Sequence, residues 1–191
     1  MEWAGRAFLC GTGEMVKIAA TDGAYLVTAD GRRILDAISS WWVTTHGHRH
    51  PRIMAAIREE TERLDQLIFA GFTHEPAERL AEKLVARAPK GLTHVFYSDS
   101  GSTSVEVALK MALGFWRNIE APRGRIVVME ESYHGDTIGT MSVGARGVFN
   151  AAYEPLLFEV DRIPFPASGK EEETLNALRD ACARQPAAFI V

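Results

Sequence analysis

Cysteine is scarce in this chain: Cys10 and Cys182 are its only two, and they lie far apart in the sequence. A disulfide framework or a structural zinc site needs several cysteines at short, repeated spacings, and no second pair exists here. The sequence therefore favours neither kind of site. We predict that both residues are reduced thiols in a cytosolic protein.

Long apolar runs and clusters of basic residues are missing as well. No apolar stretch reaches the roughly 20 residues that cross a bilayer, and the charges in the first fifteen residues do not suit a signal peptide. The net charge is -4, and no basic run is interleaved with aromatic residues. The sequence therefore lacks the basic patch that nucleic-acid binding requires. These absences predict a soluble protein with neither a membrane nor a nucleic-acid partner.

The first part of the chain predicts a small antiparallel meander followed by helices. Residues 16–36 alternate between apolar and polar side chains and are interrupted by two Asp-Gly pairs, which suit tight hairpin turns. Residues 39–51 are rich in aromatic residues and histidines and fit neither the strand nor the helix period. Apolar residues at helical spacing then predict two helices, over residues 51–68 and 75–88.

From residue 93 onward the pattern alternates between strand and helix. Strands are predicted over residues 93–97, 125–129 and 187–191. Helices are predicted over residues 102–116, from residue 137, and over residues 171–184. Strands that alternate with helices are typical of an α/β layer with parallel strands.

The order of elements predicts a division into two parts. Residues 1–50 would belong to a small domain and its loop, and residues 51–191 to the first part of a large domain. The last strand, over residues 187–191, resembles a buried interior strand of a parallel sheet. Such a strand normally leads into another helix, so we expect this chain to be the front part of a longer protein.

A polar loop between the first of these strands and its helix has the features of a phosphate cradle. It reads Ser98-Asp99-Ser100-Gly101-Ser102-Thr103-Ser104. The start of a helix carries unpaired N–H groups and positive partial charge, which stabilise an anion. Gly101 allows close approach of the backbone, and the hydroxyls of Ser100, Ser102 and Ser104 would lie within reach of phosphate oxygens. The alternative is an ordinary serine-capped helix without a ligand.

Two aromatic and histidine-rich segments are further candidates. Trp41 and Trp42 could form a wall of a pocket, or one ring could lie in the core and the other at a subunit interface. His46, His48 and His50 alternate as metal ligands do, but no carboxylate or cysteine lies close by in the sequence to complete a coordination shell. We predict no metal site and favour packing and capping roles for these histidines.

The segment after the strand at residues 125–129 reads Ser132-Tyr133-His134-Gly135-Asp136-Thr137. Ligands collect at the carboxyl ends of strands in open α/β sheets, and an aromatic ring there can lie against a flat cofactor. Asp136 is predicted to cap the following helix. The alternative is a capped turn without a ligand.

Several motifs follow one another in a fixed order. They are Asp30-Gly31-Arg32-Arg33 before Asp36, Ser39-Ser40-Trp41-Trp42, His46-Gly47-His48-Arg49-His50-Pro51, Ser98-Asp99-Ser100-Gly101-Ser102 with residues 105–112, and Tyr133-His134-Gly135-Asp136-Thr137. Together they resemble the class III pyridoxal-phosphate aminotransferases over residues 16–191. The resemblance implies fold-type I, here as a small antiparallel meander and the first half of the large, mostly parallel sheet domain.

The resemblance implies pyridoxal 5'-phosphate as the cofactor. Gly101 and Ser102 match the positions that hold its phosphate. Tyr133 matches the aromatic residue that stacks near the pyridine ring and faces the substrate. Trp41 matches a substrate-contacting position.

The Trp pair and the Ser-Gly-Ser loop are most similar to the subgroup of biotin biosynthesis. Its reaction transfers an amino group from S-adenosylmethionine to 8-amino-7-oxononanoate, giving 7,8-diaminononanoate. The resemblance also implies a cytoplasmic homodimer, in which His134 and Asp136 orient Tyr133. The alternatives are another class III transaminase acting on an ω-amino acid, and a non-catalytic fragment used for dimerisation or binding.

The family needs a lysine that binds the cofactor covalently and an aspartate paired with its pyridine nitrogen. None of the lysines of this chain stands at the matching position: Lys17, Lys83, Lys90, Lys110 and Lys170. The resemblance therefore implies no catalytic residue here, with the lysine expected beyond Val191. The family also usually opens with a Trp-His-Pro string, which the first fifteen residues lack although they contain Trp3 and Phe8.

Overall fold

The computed structural model describes residues 15–191, which form two compact units that divide between Leu80 and Ala81. Cys10, Trp3 and Phe8 lie outside the described residues. The predicted boundary between residues 50 and 51 stays a prediction.

The first unit begins with the meander that the Asp-Gly pairs predict. Its strands run antiparallel in the order β1-β2-β3: β1 (Ile18–Asp22), β2 (Tyr25–Thr28) and β3 (Arg33–Leu35). Gly23 and Gly31 occupy the turns with φ of 55° and 87°, in the left-handed region that a glycine adopts without steric cost. The meander is confirmed.

The helices of the following segment are α1 (Ser39–Trp42), α2 (Pro51–Thr61) and α3 (Glu75–Val85). The expectation that α2 continues to residue 68 is wrong. The Thr61 hydroxyl donates to the carbonyl of Arg58, and the Asp65 carboxylate accepts from the amide of Gln66. Side chains that bond to nearby backbone compete with the helix, so the apolar spacing alone overestimates its length.

The second unit is an α/β layer, as the alternation predicts. Its elements are α4 (Gly101–Asn118), β4 (Ile126–Met129), α5 (Ile138–Val143), a 3-10 helix (Ala151–Leu156), β5 (Asp161–Ile163), α6 (Glu171–Ala183) and β6 (Ala188–Ile190). The strands are parallel in the order β5-β4-β6. The structure thus combines a small antiparallel sheet with a parallel one.

One expectation about this sheet is wrong. Residues 93–97 form no strand, because no strand in the described part of the chain pairs with them. The short strand β5 was not predicted, since its three residues lie in a proline-rich loop. β6 pairs in parallel with β4, as the sequence predicts, and β4 is the central strand of the sheet that the described residues form. That β6 is an interior strand of a larger sheet stays a prediction.

The core lies on both faces of β4. Val127 is fully buried against Ile163 and Ala181 on one face, while Val128 packs with Leu109 and Val143 on the other. Consecutive strand residues point to opposite faces, so β4 is covered on both sides. Its carboxyl end leads directly into the Tyr133 segment.

Among residues 15–191, none of the helices combines the length and the apolar character that crossing a membrane requires.

Candidate active site

The polar loop forms the N-terminus of α4 and is capped as its sequence suggests. The Ser100 hydroxyl accepts from the Thr103 amide at 3.1 Å, and the Thr103 hydroxyl accepts from the Ser100 amide at 3.0 Å. This reciprocal pair is a capping box, which fixes the start of the helix. The Asp99 carboxylate accepts a hydrogen bond from the Thr103 hydroxyl, which lowers the pKa of Asp99.

The cap uses only some of the donors at this helix end. The Ser104 amide donates to the Ser100 carbonyl at 3.0 Å, and its hydroxyl donates to the same carbonyl at 2.8 Å. The hydroxyls of Ser100 and Ser104 are thus both bonded to backbone, and the expectation that three serine hydroxyls lie within reach of a phosphate stays a prediction. Within the described residues, the amides of Gly101 and Ser102 and the Ser102 hydroxyl have no hydrogen-bond partner. They are the groups that remain for an anion.

The Tyr133 segment follows β4. The Tyr133 ring is 70% exposed, and its hydroxyl donates to the Asp136 carboxylate at 3.0 Å. This hydrogen bond raises the pKa of the Tyr133 phenol. The expectation that Asp136 caps α5 is wrong: Thr137 is the cap, in a capping box with Thr140. The orienting role expected for Asp136 stays a prediction.

The segment touches the first turn of α4 at Gly135. A Cβ at this position would lie 2.0 Å from Ser102 Oγ and 2.9 Å from Ser102 Cβ, and the φ of Gly135 is 129°. Only a glycine permits this approach. The structure therefore brings Ser102 and the segment carrying Tyr133 together in one unit. The neighbouring His134 has a buried Nε2 without a partner in the described part of the chain, and burial lowers the pKa of its imidazole.

The Trp pair lies in the first unit, on an unusual turn. All four residues of α1 have φ between 47° and 70°, so the turn is left-handed. This conformation costs about 1–2 kcal/mol per non-glycine residue. Trp41 and Trp42 are 76% and 80% exposed. Neither ring lies in the core of the described residues. A ligand or another protein surface is therefore needed to cover them.

Asp36 holds this turn in place. Its carboxylate accepts from the Ser40 amide at 2.9 Å, from the Ser40 hydroxyl at 2.7 Å, and pairs with His48 Nε2 at 2.8 Å. The two Ser40 bonds and that of His48 lower the pKa of Asp36. No motif in the sequence points to this role for Asp36. The sequence feature that could have indicated it is an acidic side chain three residues before a Ser-Ser pair. Such a side chain can accept hydrogen bonds from the backbone and hydroxyls of the turn that follows.

We expect Asp36→Ala to release this turn, because the substitution removes the acceptor for Ser40 and His48. Amide hydrogen exchange over residues 39–44 is expected to accelerate roughly tenfold or more, the scale expected when charge-assisted hydrogen bonds are lost. The matched control is Asp22→Ala, which removes an exposed carboxylate paired only with Arg33. Equal exchange over residues 39–44 in both variants would contradict the assignment.

The histidine run does not converge on one point. His48 pairs with Asp36, and His46 Nδ1 lies 2.8 Å from the Thr45 hydroxyl. His50 meets His46 edge to face, with ring centroids 6.1 Å apart. Across residues 15–191, no group of three potential ligands is placed to hold a metal ion.

Comparison with known proteins assigns the family. The sequence profile described as aminotransferase class III matches residues 11–191. This chain belongs to the class III aminotransferases. An adenosylmethionine-8-amino-7-oxononanoate aminotransferase from Synechococcus elongatus is 54% identical to it over 162 residues, which are 85% of this chain and 38% of that protein.

Solved structures of class III aminotransferases have the same fold. The adenosylmethionine-8-amino-7-oxononanoate aminotransferase of Methanocaldococcus jannaschii aligns with a TM-score of 0.90 at 30% identity, over 100% of this chain and 45% of that one. A PLP-bound amine transaminase from an uncultivated Pseudomonas species aligns with a TM-score of 0.78 at 29% identity, over 92% and 44%. The predicted fold-type I architecture is confirmed. This aminotransferase chain spans less than half the length of these relatives.

The coenzyme of this aminotransferase family is pyridoxal 5'-phosphate. The residues present fit such a group. The unpartnered amides of Gly101 and Ser102 suit a phosphate. Apart from its chain neighbours and its own helix backbone, no described residue has an atom within 4 Å of the position that a Cβ on Gly101 would take. The exposed ring of Tyr133, on the segment that touches Ser102, suits a flat aromatic group.

Proposed function

We propose that this chain is the amino-terminal part of a transaminase of biotin biosynthesis, which transfers an amino group from S-adenosylmethionine to 8-amino-7-oxononanoate. The observation that carries the coenzyme part of this proposal is the pair of unpartnered amides at Gly101 and Ser102 beside the Tyr133 segment. The names of relatives at up to 54% identity support the choice of substrates.

Gly101 and Ser102 hold the coenzyme phosphate through their amides, and the Ser102 hydroxyl adds a third donor. The positive end of the α4 dipole favours the same charge. When bound, the coenzyme supplies the electron sink that lets an amino group pass between an amine and a ketone. Tyr133 presents its ring to the pyridine and to the substrate, with its hydroxyl fixed by Asp136.

Trp41 contacts the substrate. The 8-amino-7-oxononanoate molecule has a long aliphatic chain, and an indole offers it a large rigid apolar surface at a small cost in conformational entropy. The exposure of the Trp41 ring and the three hydrogen bonds to Asp36 that fix its turn support this role. The hydrogen bonds to Asp36 thus hold the turn in a conformation that presents Trp41 to a substrate and does not bury its ring in the core.

The covalent lysine and the aspartate beside the pyridine nitrogen belong to the remainder of the protein, beyond Val191. The 191-residue chain supplies part of the pocket and catalyses no transfer by itself. The whole protein is a cytoplasmic homodimer whose substrates are small molecules.

The test is an amino-transfer assay of the whole protein with 8-amino-7-oxononanoate and S-adenosylmethionine. We expect 7,8-diaminononanoate to form, and the 191-residue chain alone to form none. The competing candidate is a transaminase for other ω-amino compounds, which the likeness to a Pseudomonas amine transaminase favours. Turnover of ω-amino acids with no transfer to 8-amino-7-oxononanoate from any donor would select that candidate instead.

A further inference from the structure

Glu106 on α4 makes the most direct connection between the two halves of the proposed coenzyme site. One of its carboxylate oxygens, Oε1, accepts from the Thr137 hydroxyl at 2.6 Å and from the Gly139 amide at 2.7 Å. Both partners are more than thirty residues away in the sequence. No local pattern in the sequence links Glu106 to these donors.

Glu106 stands four residues after Ser102, so the two side chains occupy the same face of α4. The Tyr133 segment and the start of α5 repeat this spacing in two glycines. Gly135 in the segment lies against Ser102, and Gly139 in α5 lies against Glu106. A Cβ on Gly139 would lie 2.2 Å from Glu106 Oε2. The face of α4 therefore contacts the chain after β4 at two points. One is at Ser102, beside the amides proposed to bind phosphate, and the other is at the Glu106 carboxylate.

The Tyr133 ring is not held by packing, because most of its surface is exposed. Its position depends on how the segment is tied at each end. At the start, the Ser132 carbonyl accepts from the Ala145 amide at 2.7 Å, and the Ser132 hydroxyl donates to the Met129 carbonyl at 2.7 Å. At the other end Glu106 accepts the hydrogen bonds that join Thr137 and Gly139 to α4. The close contact of Gly135 with Ser102 and the packing of Val143 with Leu109 also hold this region against α4, so we expect the loss of Glu106 to loosen the segment rather than release it.

We propose that Glu106 is a positioning residue for coenzyme binding. It holds residues 132–139 against α4, and so fixes the distance between the ring of Tyr133 and the phosphate amides of Gly101 and Ser102. The inference rests on the proposed function, since it takes these three residues as the coenzyme contacts. A carboxylate that serves only the stability of the unit would act independently of Tyr133.

The test is a double-mutant cycle on the whole protein, with the dissociation constant of pyridoxal 5'-phosphate measured by titrating the apoprotein. We expect Glu106→Ala to weaken binding roughly tenfold, because two hydrogen bonds to a charged group are lost. In the Tyr133→Ala background the same substitution is expected to weaken binding less than about twofold. Glu106→Gln retains a carbonyl oxygen that can accept from both donors, and we expect it to restore most of the affinity.

Equal effects of Glu106→Ala in the two backgrounds would overturn the proposal, as would unchanged affinity. Glu173→Ala, which removes an exposed carboxylate from the first turn of α6, is the control and should leave the dissociation constant unchanged. If Glu106→Ala does not accumulate as folded protein, Glu106→Asp, whose shorter side chain cannot reach both donors, is measured in the same cycle.

The same titration separates this inference from the proposed function. Placing a negative charge at position 101 by Gly101→Asp tests the phosphate site without touching Glu106. If Gly101→Asp weakens coenzyme binding and Glu106→Ala does not, only the positioning role fails. If Gly101→Asp has no effect, the coenzyme site itself fails.

Discussion

Gly135→Ala is expected to lower the free energy of unfolding by about 2–4 kcal/mol, through overpacking combined with a strained backbone. The new methyl group would meet Ser102 Oγ at 2.0 Å and Ser102 Cα at 3.1 Å. The neighbour is thus partly backbone, which cannot turn aside as the tip of a long side chain can. The φ of 129° adds strain for any residue with a Cβ.

Urea unfolding followed by circular dichroism measures this loss. Gly124→Ala is the matched control, because a Cβ there meets no atom within 4 Å and its φ lies outside the left-handed region. We expect the control to change stability by less than about 0.5 kcal/mol. A Gly135→Ala protein as stable as the control would mean that the Tyr133 segment does not lie against α4 as described.

Gly101→Asp is expected to weaken the binding of pyridoxal 5'-phosphate by a factor of about 100 or more without destabilising the fold. Two unit charges 4 Å apart near a protein surface repel by about 4 kcal/mol, which salt and relaxation reduce. A carboxylate at this position would lie where the phosphate is proposed to bind. The same charge in the first turn of α4 stabilises the helix by about 0.3–1 kcal/mol, so affinity and stability move in opposite directions.

The comparison that isolates charge is Gly101→Asn, which has the same size but no charge. Coenzyme titration of the whole protein should give a far smaller loss for the asparagine variant than for the aspartate variant. Equal losses of affinity in the two variants would mean that the size of the new side chain, not its charge, causes the effect. The absence of any loss in both variants would place the phosphate away from α4.

Local features were predictable because the forces that form them act over a few residues. The serine cap of α4, the glycine turns of the meander and the apolar run of β4 are examples. The absence of a strand at residues 93–97 was not predictable in this way, because it depends on whether a partner strand lies alongside. The end of α2 at Thr61 does involve local bonds, from Thr61 to Arg58 and from Gln66 to Asp65, which the apolar spacing alone does not reveal.

The candidate site also has parts that the sequence predicts and parts that only the structure shows. Motif order pointed to Gly101, Ser102, Tyr133 and Trp41, and these assignments stay predictions until they are tested. The cap at Ser100 was predictable, but the bond from the Ser104 hydroxyl to the Ser100 carbonyl was not. Because both hydroxyls bond to backbone, the amides matter more at this helix end than the run of serines suggested.

By itself, then, the sequence determined the family, the α/β alternation and the position of a polar loop at a helix start, since each is encoded in neighbouring residues. Tertiary structure alone decided that Gly135 meets Ser102, that His48 reaches the Asp36 carboxylate, and that Glu106 joins α4 to residues Thr137 and Gly139. These contacts join residues distant in the chain. A hydrogen bond or a close approach between such residues exists only once packing has brought the two together, and no local propensity encodes it.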